Sequence, residues 1–397
     1  MRLIKRMQEE KIKLLLVADT YHPRVDGTLM FMDEFLNRAK SDFDISLFVP
    51  GFKEQKDSKS RFFFKVSKIF KLSGYQSFAL SWKNLTKLIK AIKTNELIFV
   101  QGPAIASYLT MFFAKRQKKY LATYIHVITW ELFEKFINKL PKFIYTPTMK
   151  LFRWLTVRLY NQCDVVFVPY HDLKEKLESL GVKTKIEVAK LGVDIERFKE
   201  TKDLHKSKKK VKIDEKKTVI GYVGRISQEK NVLTLVKAFK QLPNQQDLHL
   251  LIVGDGQKGL VNEIKKTRNC TVTKFVNNVE DYLKAMDIFV MPSLTETTSL
   301  ATLEAMATGL PIIATKVGFI KRYIIKNYNG VFFPRESPTH LTLKLEMLLS
   351  EKHLQEKLGK NARKTVAYSF SWERSINKIR KLLVQNFLEK DEKISSK

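Results

Sequence analysis

Two cysteines, Cys163 and Cys270, are all the thiols in 397 residues. A disulfide framework is excluded, and neither cysteine has a metal-ligand neighbour at zinc spacing. Histidine is scarce too, with seven in the chain and no H-E-x-x-H pairing. A metal site therefore has weak support, and none is expected. No apolar run is long enough to span a bilayer. The N-terminal MRLIKRMQEEKIKLLLVADT is interrupted by Glu9, Glu10 and Lys13. It lacks the apolar core of a signal peptide and reads as a charged lead-in to a strand. The expected location is the cytoplasm.

Acidic residues are also in short supply, 41 against 72 Lys and Arg, for a net charge of +31. Residues 51–150 hold 19 Lys and Arg against 5 acids, and residues 201–217 hold eight lysines against three. Such a surplus favours a polyanion, whether an anionic membrane face, a nucleic acid or an acidic polymer. A lysine-rich surface kept in water accounts for it equally well. At 44% hydrophobic and 28% charged, the chain has ample core material, and its length suits two domains.

Apolar runs and helical periodicity alternate along the chain. In the first half the expected strands are 12–19, 44–50, 96–103, 121–127 and 164–169, and the expected helices 26–40, 83–94 and 104–116. In the second half the strands are 218–224, 247–254, 271–275, 287–292 and 310–315, with helices at 231–242, 257–266 and 280–286. Near-continuous apolar strands alternating with helices mean parallel α/β sheets. The expected organisation is a first domain over 1–200, a lysine-rich linker over 201–217 and a second domain over 218–368. An amphipathic helix and polar tail follow over 369–397.

The most informative stretch is SLTETTSLATLEAMATGLPIIAT, Ser293 to Thr315. It reads as a loop, a helix beginning near Thr298, a glycine stop at Gly309 and a buried strand. A helix N-terminus presents unpaired N–H groups and a positive dipole end to a phosphate. Glu296 stands just before that end and Glu304 two turns along the helix. Carboxylates beside a phosphate site are awkward unless they bind something else, such as sugar hydroxyls. GYVGRISQEKN (221–231) supplies Arg225 and Lys230 after a strand end, a cation pair suited to a diphosphate.

Other motifs carry less. GDGQKG (254–259) spells the dinucleotide fingerprint, but an earlier strand opens this domain and no ribose acid ends the next strand. A tight turn near a nucleotide fits better than an NAD site. DFD (42–44) spells a metal-binding D-x-D, yet two solvated turn carboxylates account for it. In DTYHPRVDGTLMF, Gly27 could let the backbone approach a ligand, and Asp26 serves equally as an ordinary helix cap. His126 ends a strand, and like His22 and His171 it needs no role beyond packing or solvation. Residues 133–160 mix large apolar side chains with Lys and Arg, as membrane-interface segments do. Helices packed on the sheet with their cations in water give the same pattern.

On the Glu-x₇-Glu motif (Glu296, Glu304) with LEAMATGLPIIAT, on GRISQEKN, VGDG, LGVDIERF (191–198) and the DG loop, nearly the whole chain resembles a known family. It is similar to the retaining, nucleotide-sugar-dependent glycosyltransferases of family 4, the glycosyl transferases group 1. YHPRVDGT and TYIH look most like the branch that glycosylates lipids: phosphatidylinositol mannosyltransferases, glucosyldiacylglycerol synthases and sulfolipid synthases. The resemblance implies the GT-B fold, two Rossmann-like doubly wound parallel-sheet domains facing a cleft, with the acceptor on the first domain's side. It implies that Arg225 and Lys230, beside Gly224, hold the donor diphosphate, and that the backbone at Thr298, Ser299 and Leu300 binds phosphate. Glu304 would take the ribose hydroxyls and Glu296 those of the transferred sugar. His126 falls where the family has a histidine against the donor sugar, one residue displaced. Gly27 matches a mobile glycine loop near acceptor and diphosphate, and the helix after Trp372 would cross back onto the first domain. Two departures stand out. Thr298 and Ser299 replace an aromatic residue and a glycine after Glu296, and Phe319 and Arg322 replace the second glycine and the glutamate of a GG-x-x-E segment.

The expectation is a metal-independent transfer, with retention, of a hexose from a UDP-hexose or GDP-mannose to an acceptor hydroxyl. No cofactor beyond that co-substrate is expected. The acceptor is read as a membrane lipid at the cytoplasmic face, met by Lys135, Lys139, Lys142, Arg153 and Trp154, with the protein peripheral on the inner face of the membrane. A soluble or polymer-building glycan is the alternative acceptor. Alternatives of another class are a non-enzymatic polyanion binder on a decayed fold and an NAD enzyme using GDGQKG. No nucleic-acid motif is present.

Overall fold

The computed structural model describes residues 10–395, apart from 24–25, 53–54, 73–74, 103, 127, 129, 131–132, 135–136 and 138–139. The chain forms two compact units, Met1–Lys190 with Glu373–Lys397, and Leu191–Trp372.

In the first unit the strands are β1 (Ile12–Ala18), β2 (Phe43–Pro50), β3 (Arg61–Phe64), β4 (Val66–Leu72), β5 (Tyr75–Phe78), β6 (Leu97–Gln101), β7 (Tyr120–Tyr124), β8 (Val165–Val168) and β9 (Ile186–Val188). Seven form one sheet in the order β3-β2-β1-β6-β7-β8-β9, and β4 and β5 pair separately. The large sheet is parallel, with Leu14 opposite Ile45 on one side and Leu97 on the other. Its central strands are buried on both faces, β6 and β7 along their whole length. That explains why they read as unbroken apolar runs rather than alternating ones.

The second unit holds β10 (Thr218–Val223), β11 (Leu248–Val253), β12 (Cys270–Val272), β13 (Ile288–Met291), β14 (Ile312–Thr315) and β15 (Val331–Phe333). Their order is β12-β11-β10-β13-β14-β15, all parallel. In both sheets the order reverses beside the first strand, at β1/β6 and at β10/β13. These are the points where doubly wound sheets open a crevice for ligands. The two expected parallel α/β sheets are thus present.

Several expectations need correction. Lys190, rather than residue 200, ends the first part of unit one, and LGVDIERF belongs to unit two, where Val193 bridges Ser371. The supposed linker 201–217 carries a helix, Leu204–Lys210, within unit two. Lys208 there is only 4% exposed, and its ammonium lies 2.9 Å from Asp287, while Lys210 pairs with Asp281 at 2.8 Å. Partnered lysines, not a helical apolar stripe, hold this segment down. Strands β3, β4, β5, β9 and β15 had no counterpart among the expected elements. All but β4 are only three or four residues long, too short to show a period.

The final helix, Trp372–Ser395, lies mostly in unit one. Arg380 reaches the Asp42 carboxylate at 2.6 Å and the Arg38 carbonyl at 2.9 Å, and Lys390 spans both Asp164 oxygens at 2.8 and 2.9 Å. Asp42, the first acid of DFD, is thereby a docking partner for this helix, while Asp44 lies exposed on β2.

Candidate active site

The β10/β13 crossing gathers the residues singled out by motif in unit two. After β10, Tyr222 donates its hydroxyl to the Arg225 carbonyl at 2.8 Å, fixing the turn. A short 3-10 turn, Gln228–Lys230, ends at Asn231, whose left-handed backbone (φ 51°) starts the helix Val232–Gln241. The loop is tied to the one after β13 by Leu294 N–H on the Glu229 carbonyl at 2.8 Å. This geometry brings the Lys230 ammonium to 2.6 Å from Glu296 Oε1. Arg225 instead stays 67% exposed, and among the described residues its ion pair is with Glu229 at 3.0 Å.

GDGQKG follows β11, the second strand of its sheet. Its backbone braces the Arg225 loop: Ile226 N–H donates to Asp255 O, and Gln257 N–H to Ile226 O, both at 2.9 Å. A Cβ on Gly256 would run into the Ile226 carbonyl. Gly254 and Gly256 are thus accounted for by close backbone approach, whereas a Cβ on Gly259 would meet nothing. Gly224 donates its N–H to Val253 O at 3.0 Å, so it contributes close approach rather than a free donor.

Glu296 is 6% exposed at its side chain and also accepts from Ser293 Oγ at 2.9 Å. Its backbone is pinned from outside: Gly318 sits against the Glu296 carbonyl, and Phe319 N–H donates to Thr297 O at 2.8 Å. The Tyr323 hydroxyl holds the Thr298 carbonyl at 2.8 Å, and the buried Thr298 hydroxyl oxygen has no hydrogen-bond partner. The helix begins at Leu300 rather than Thr298, because Ser299 is left-handed (φ 58°). Thr302 and Leu303 N–H close back onto Ser299 O. The N–H groups before them have no intrahelical acceptor, which is the feature that lets a helix N-terminus bind an anion.

Glu304 is buried in the second turn of this helix. Burial pushes its carboxyl up to about 7, against a smaller lowering by Arg197, with Glu280 raising it slightly. None of the hydrogen bonds among the described residues reaches its carboxylate. Arg197 is held by Glu280 Oε2 at 2.8 and 3.0 Å and by Asn277 O at 2.6 Å. The sequence reading gave no role to Arg197, Ser293 or Tyr323. Ser293 could have been found from its i, i+3 spacing to Glu296, whereas Tyr323 lies 25 residues from the carbonyl it binds.

In unit one, Asp26 caps the helix Gly27–Arg38, accepting from Thr28 and Leu29 N–H at 3.0 Å each. Thr20 Oγ1 donates to its other oxygen at 2.8 Å. Gly27 is therefore the first helical residue, at the strand-end edge of the sheet. His126 lies just past β7, buried, with Nε2 2.7 Å from Gln101 Oε1. The Phe31 and Tyr124 rings flank it at 5.1 and 4.5 Å. Burial pushes its imidazole down to about 3, so it is neutral at physiological pH and cannot act as an imidazolium acid.

Lys142, Arg153 and Trp154 all lie on the helix Lys142–Tyr160 and are exposed. Lys135 and Lys139 fall outside the described residues. The same helix exposes Phe143 (78%), Ile144, Leu151 and Leu155, and elsewhere in unit one Leu80 and Trp82 (80%) are exposed as well. Among the described residues, no helix is long and apolar enough to cross a membrane.

Comparison with known proteins agrees with this architecture. Residues 203–365 match the model of glycosyl transferases group 1, and residues 30–197 that of glycosyltransferase family 4. Glycosyltransferase MJ1069 of Methanocaldococcus jannaschii is 24% identical over 94% of this chain and 98% of its own. The UDP-Gal:alpha-D-GlcNAc-diphosphoundecaprenol alpha-1,3-galactosyltransferase of Escherichia coli is 26% identical over 67% of this chain and 70% of its own. The structure of Anabaena HepE in complex with UDP and glucose superposes with a TM-score of 0.74 at 17% identity, covering 94% of this chain and 99% of that one. With two doubly wound parallel sheets and both family models matched in order, the chain belongs to the glycosyl transferases group 1, GT-B glycosyltransferases of a retaining hexosyltransferase family.

Proposed function

We propose that this glycosyltransferase moves a hexose from a UDP-hexose to a hydroxyl of a membrane-lipid acceptor. The observation that carries the donor reading is the Lys230–Glu296 pair, 2.6 Å apart, beside a helix N-terminus whose Thr298 hydroxyl is unpartnered. The diphosphate meets Arg225, Lys230 and the N–H groups at Ser299 and Leu300. The ribose hydroxyls donate to the Glu304 carboxylate, and Glu296 accepts from hydroxyls of the transferred sugar. When the bond from the sugar's anomeric carbon to the diphosphate oxygen breaks, negative charge grows on the leaving phosphate. The two cations and the helix end stabilise that charge more in the transition state than before it. The acceptor oxygen bonds the anomeric carbon on the same face, and its proton passes to the departing phosphate. His126 of unit one, neutral and buried, moves no proton.

Donor choice is supported by two proteins similar to this one. The Escherichia coli relative is named for UDP-galactose, and HepE was solved with UDP and glucose. The same relative is named for a diphosphoundecaprenol-linked acceptor, a sugar carried on a lipid. The lipid reading also rests on the exposed apolar and basic side chains of Lys142–Tyr160, the pattern of an interfacial helix. A polymer-building glycan is the second reading, favoured by the acceptor group in that relative's name being itself a sugar. Release of UDP or GDP from a panel of nucleotide sugars, run with and without extracted lipids, tests both parts. UDP release from UDP-hexoses that rises with lipid is expected. Release from GDP-mannose alone would overturn the donor, and stimulation by a soluble glycan but not by lipid would overturn the acceptor.

A further inference from the structure

Between the helices Ile105–Arg116 and Lys142–Tyr160 lies a cavity of about 710 Å³. It is a groove partly open to solvent, and its size is that of a small-molecule pocket. Its walls are apolar, built from Leu109, Phe112, Phe152, Leu155 and Leu159. Tyr108 Oη meets Thr156 Oγ1 at 3.1 Å, linking the two helices.

The rim is basic. Lys115, Arg116 and Arg158 line the cavity and are exposed. None of the three is ion-paired with a carboxylate among the described residues. Arg116 lies over the Phe112 ring at 3.8 Å, and Arg158 over the Trp154 ring at 5.3 Å. Cations in the last turns of two helices also offset the helix dipoles. That effect needs no apolar cavity between them.

We propose that this cavity is a binding site for an anionic phospholipid, with an acyl chain between the helices and the phosphate on the Lys115–Arg116–Arg158 rim. The inference rests on the membrane reading above and adds a specific lipid site to it. The site is separate from the acceptor. Helices of a parallel α/β sheet run against the strands, so these cations lie toward the sheet edge opposite Gly27 and His126. The lipid therefore anchors or activates the enzyme and is not glycosylated there. An apolar cleft with three cations at one end, none paired with a carboxylate among the described residues, is complementary to an anionic amphiphile more than to a neutral lipid or a free phosphate.

The test uses the full chain and dihexanoyl phosphatidylglycerol kept below its micelle concentration. Saturable one-to-one binding by calorimetry is expected, with glycerol phosphate inert and dihexanoyl phosphatidylcholine at least tenfold weaker. Leu155→Trp, an exposed position whose new ring fills the cavity, and Arg116→Glu with Arg158→Glu are each expected to weaken binding at least tenfold. Lipid-free hydrolysis of the donor should be unchanged in both. Equal binding of the neutral lipid, binding that both variants leave intact, or sedimentation with phosphatidylglycerol vesicles without binding of monomeric lipid overturns the site while sparing the membrane reading. Absence of both vesicle and monomer binding overturns the two together.

Discussion

Lys230 and Glu296, 66 residues apart in the chain, meet at 2.6 Å where β10 and β13 adjoin. In the function proposed above the pair joins a diphosphate cation to a sugar-binding carboxylate, which would couple the two halves of the donor site electrostatically. Both side chains are largely buried, and removing one partner strands the other charge. Lys230→Ala is expected to lower kcat/KM at least 100-fold, about 3 kcal/mol of transition-state stabilisation. Glu296→Gln should lower turnover while leaving UDP affinity nearly unchanged. A double-mutant cycle should return a coupling on the order of 1–3 kcal/mol. Additive effects in steady-state kinetics would separate the two residues' roles.

Arg225 presents the opposite case. Its side chain is exposed and, among the described residues, ion-paired with Glu229, a pair that contributes little to stability. Arg225→Ala should leave the melting temperature within about 1 °C of wild type, because such surface changes stay within ~0.5 kcal/mol. Turnover should fall at least tenfold, and Arg225→Lys should recover only part of it, since a point charge cannot fork onto two phosphate oxygens. Together Arg225→Ala and Lys230→Ala are expected to abolish transfer in a folded protein, as judged by circular dichroism alongside UDP release.

Much of the fold was legible because the central strands are buried on both faces and so read as unbroken apolar runs. The strands that escaped were mostly three- or four-residue edges such as Val331–Phe333, too short for any period. The lysine stretch 201–217 looked like a linker because lysine signals solvent. Its burial against Asp287 depends on a residue some 80 positions away and is invisible locally. Glu296 and Glu304 were recognisable by spacing. Their difference was not, since it arises from surroundings: one carboxylate has a lysine and a serine, while the other has neither.

That difference gives Glu304 a pH signature. Burial holds its carboxyl at about 7 in the native protein, against 4.5 for the ordinary side chain. Between those values the native state binds more protons than the unfolded chain. The group's favourable contribution is therefore complete below 4.5 and is lost as pH rises through 7, by up to about 3 kcal/mol. Glu304→Gln should remove this slope and stabilise the ligand-free protein above pH 7, read by urea denaturation at pH 5, 6 and 8. Ribose hydroxyls favour the ionised form, so nucleotide affinity should tighten from pH 6 to 8 in wild type more than in Glu304→Gln. The comparison cancels the titration of the diphosphate itself.

The helix Lys142–Tyr160 makes a separate prediction. A basic residue near an anionic surface contributes about 1 kcal/mol to binding. Arg153→Glu replaces that attraction by repulsion and should cost about 2 kcal/mol, roughly 30-fold in partition to vesicles containing phosphatidylglycerol. Trp154→Ala should weaken binding to anionic and neutral vesicles alike, because its ring acts through apolar area. Both residues are exposed, so melting temperatures should hold. Sedimentation at low and high salt measures the effect, and partition that ignores salt and charge would remove the electrostatic part of the membrane reading.

Gly318 tests whether the Glu296 loop must be held from behind. Its φ of 51° is left-handed, and an added Cβ would run into the Glu296 carbonyl. Backbone cannot swing aside as a flexible side chain can. Gly318→Ala must therefore displace the Thr297–Thr298 turn or lose the Phe319 N–H bond to Thr297 O. A left-handed alanine costs roughly 1–2 kcal/mol by conformation alone, and the clash adds to it. The loop carries Glu296 on one side and the helix N-terminus on the other, so a small shift would disturb the proposed sugar and phosphate contacts at once. Turnover should fall more than stability: at least 100-fold in kcat/KM with only about 2–3 kcal/mol lost in urea denaturation, since a misplacement near 1 Å alone costs about that factor in rate. A variant that lost stability but kept full turnover would mean that the loop finds its catalytic geometry without Gly318, and that the donor itself supplies the ordering.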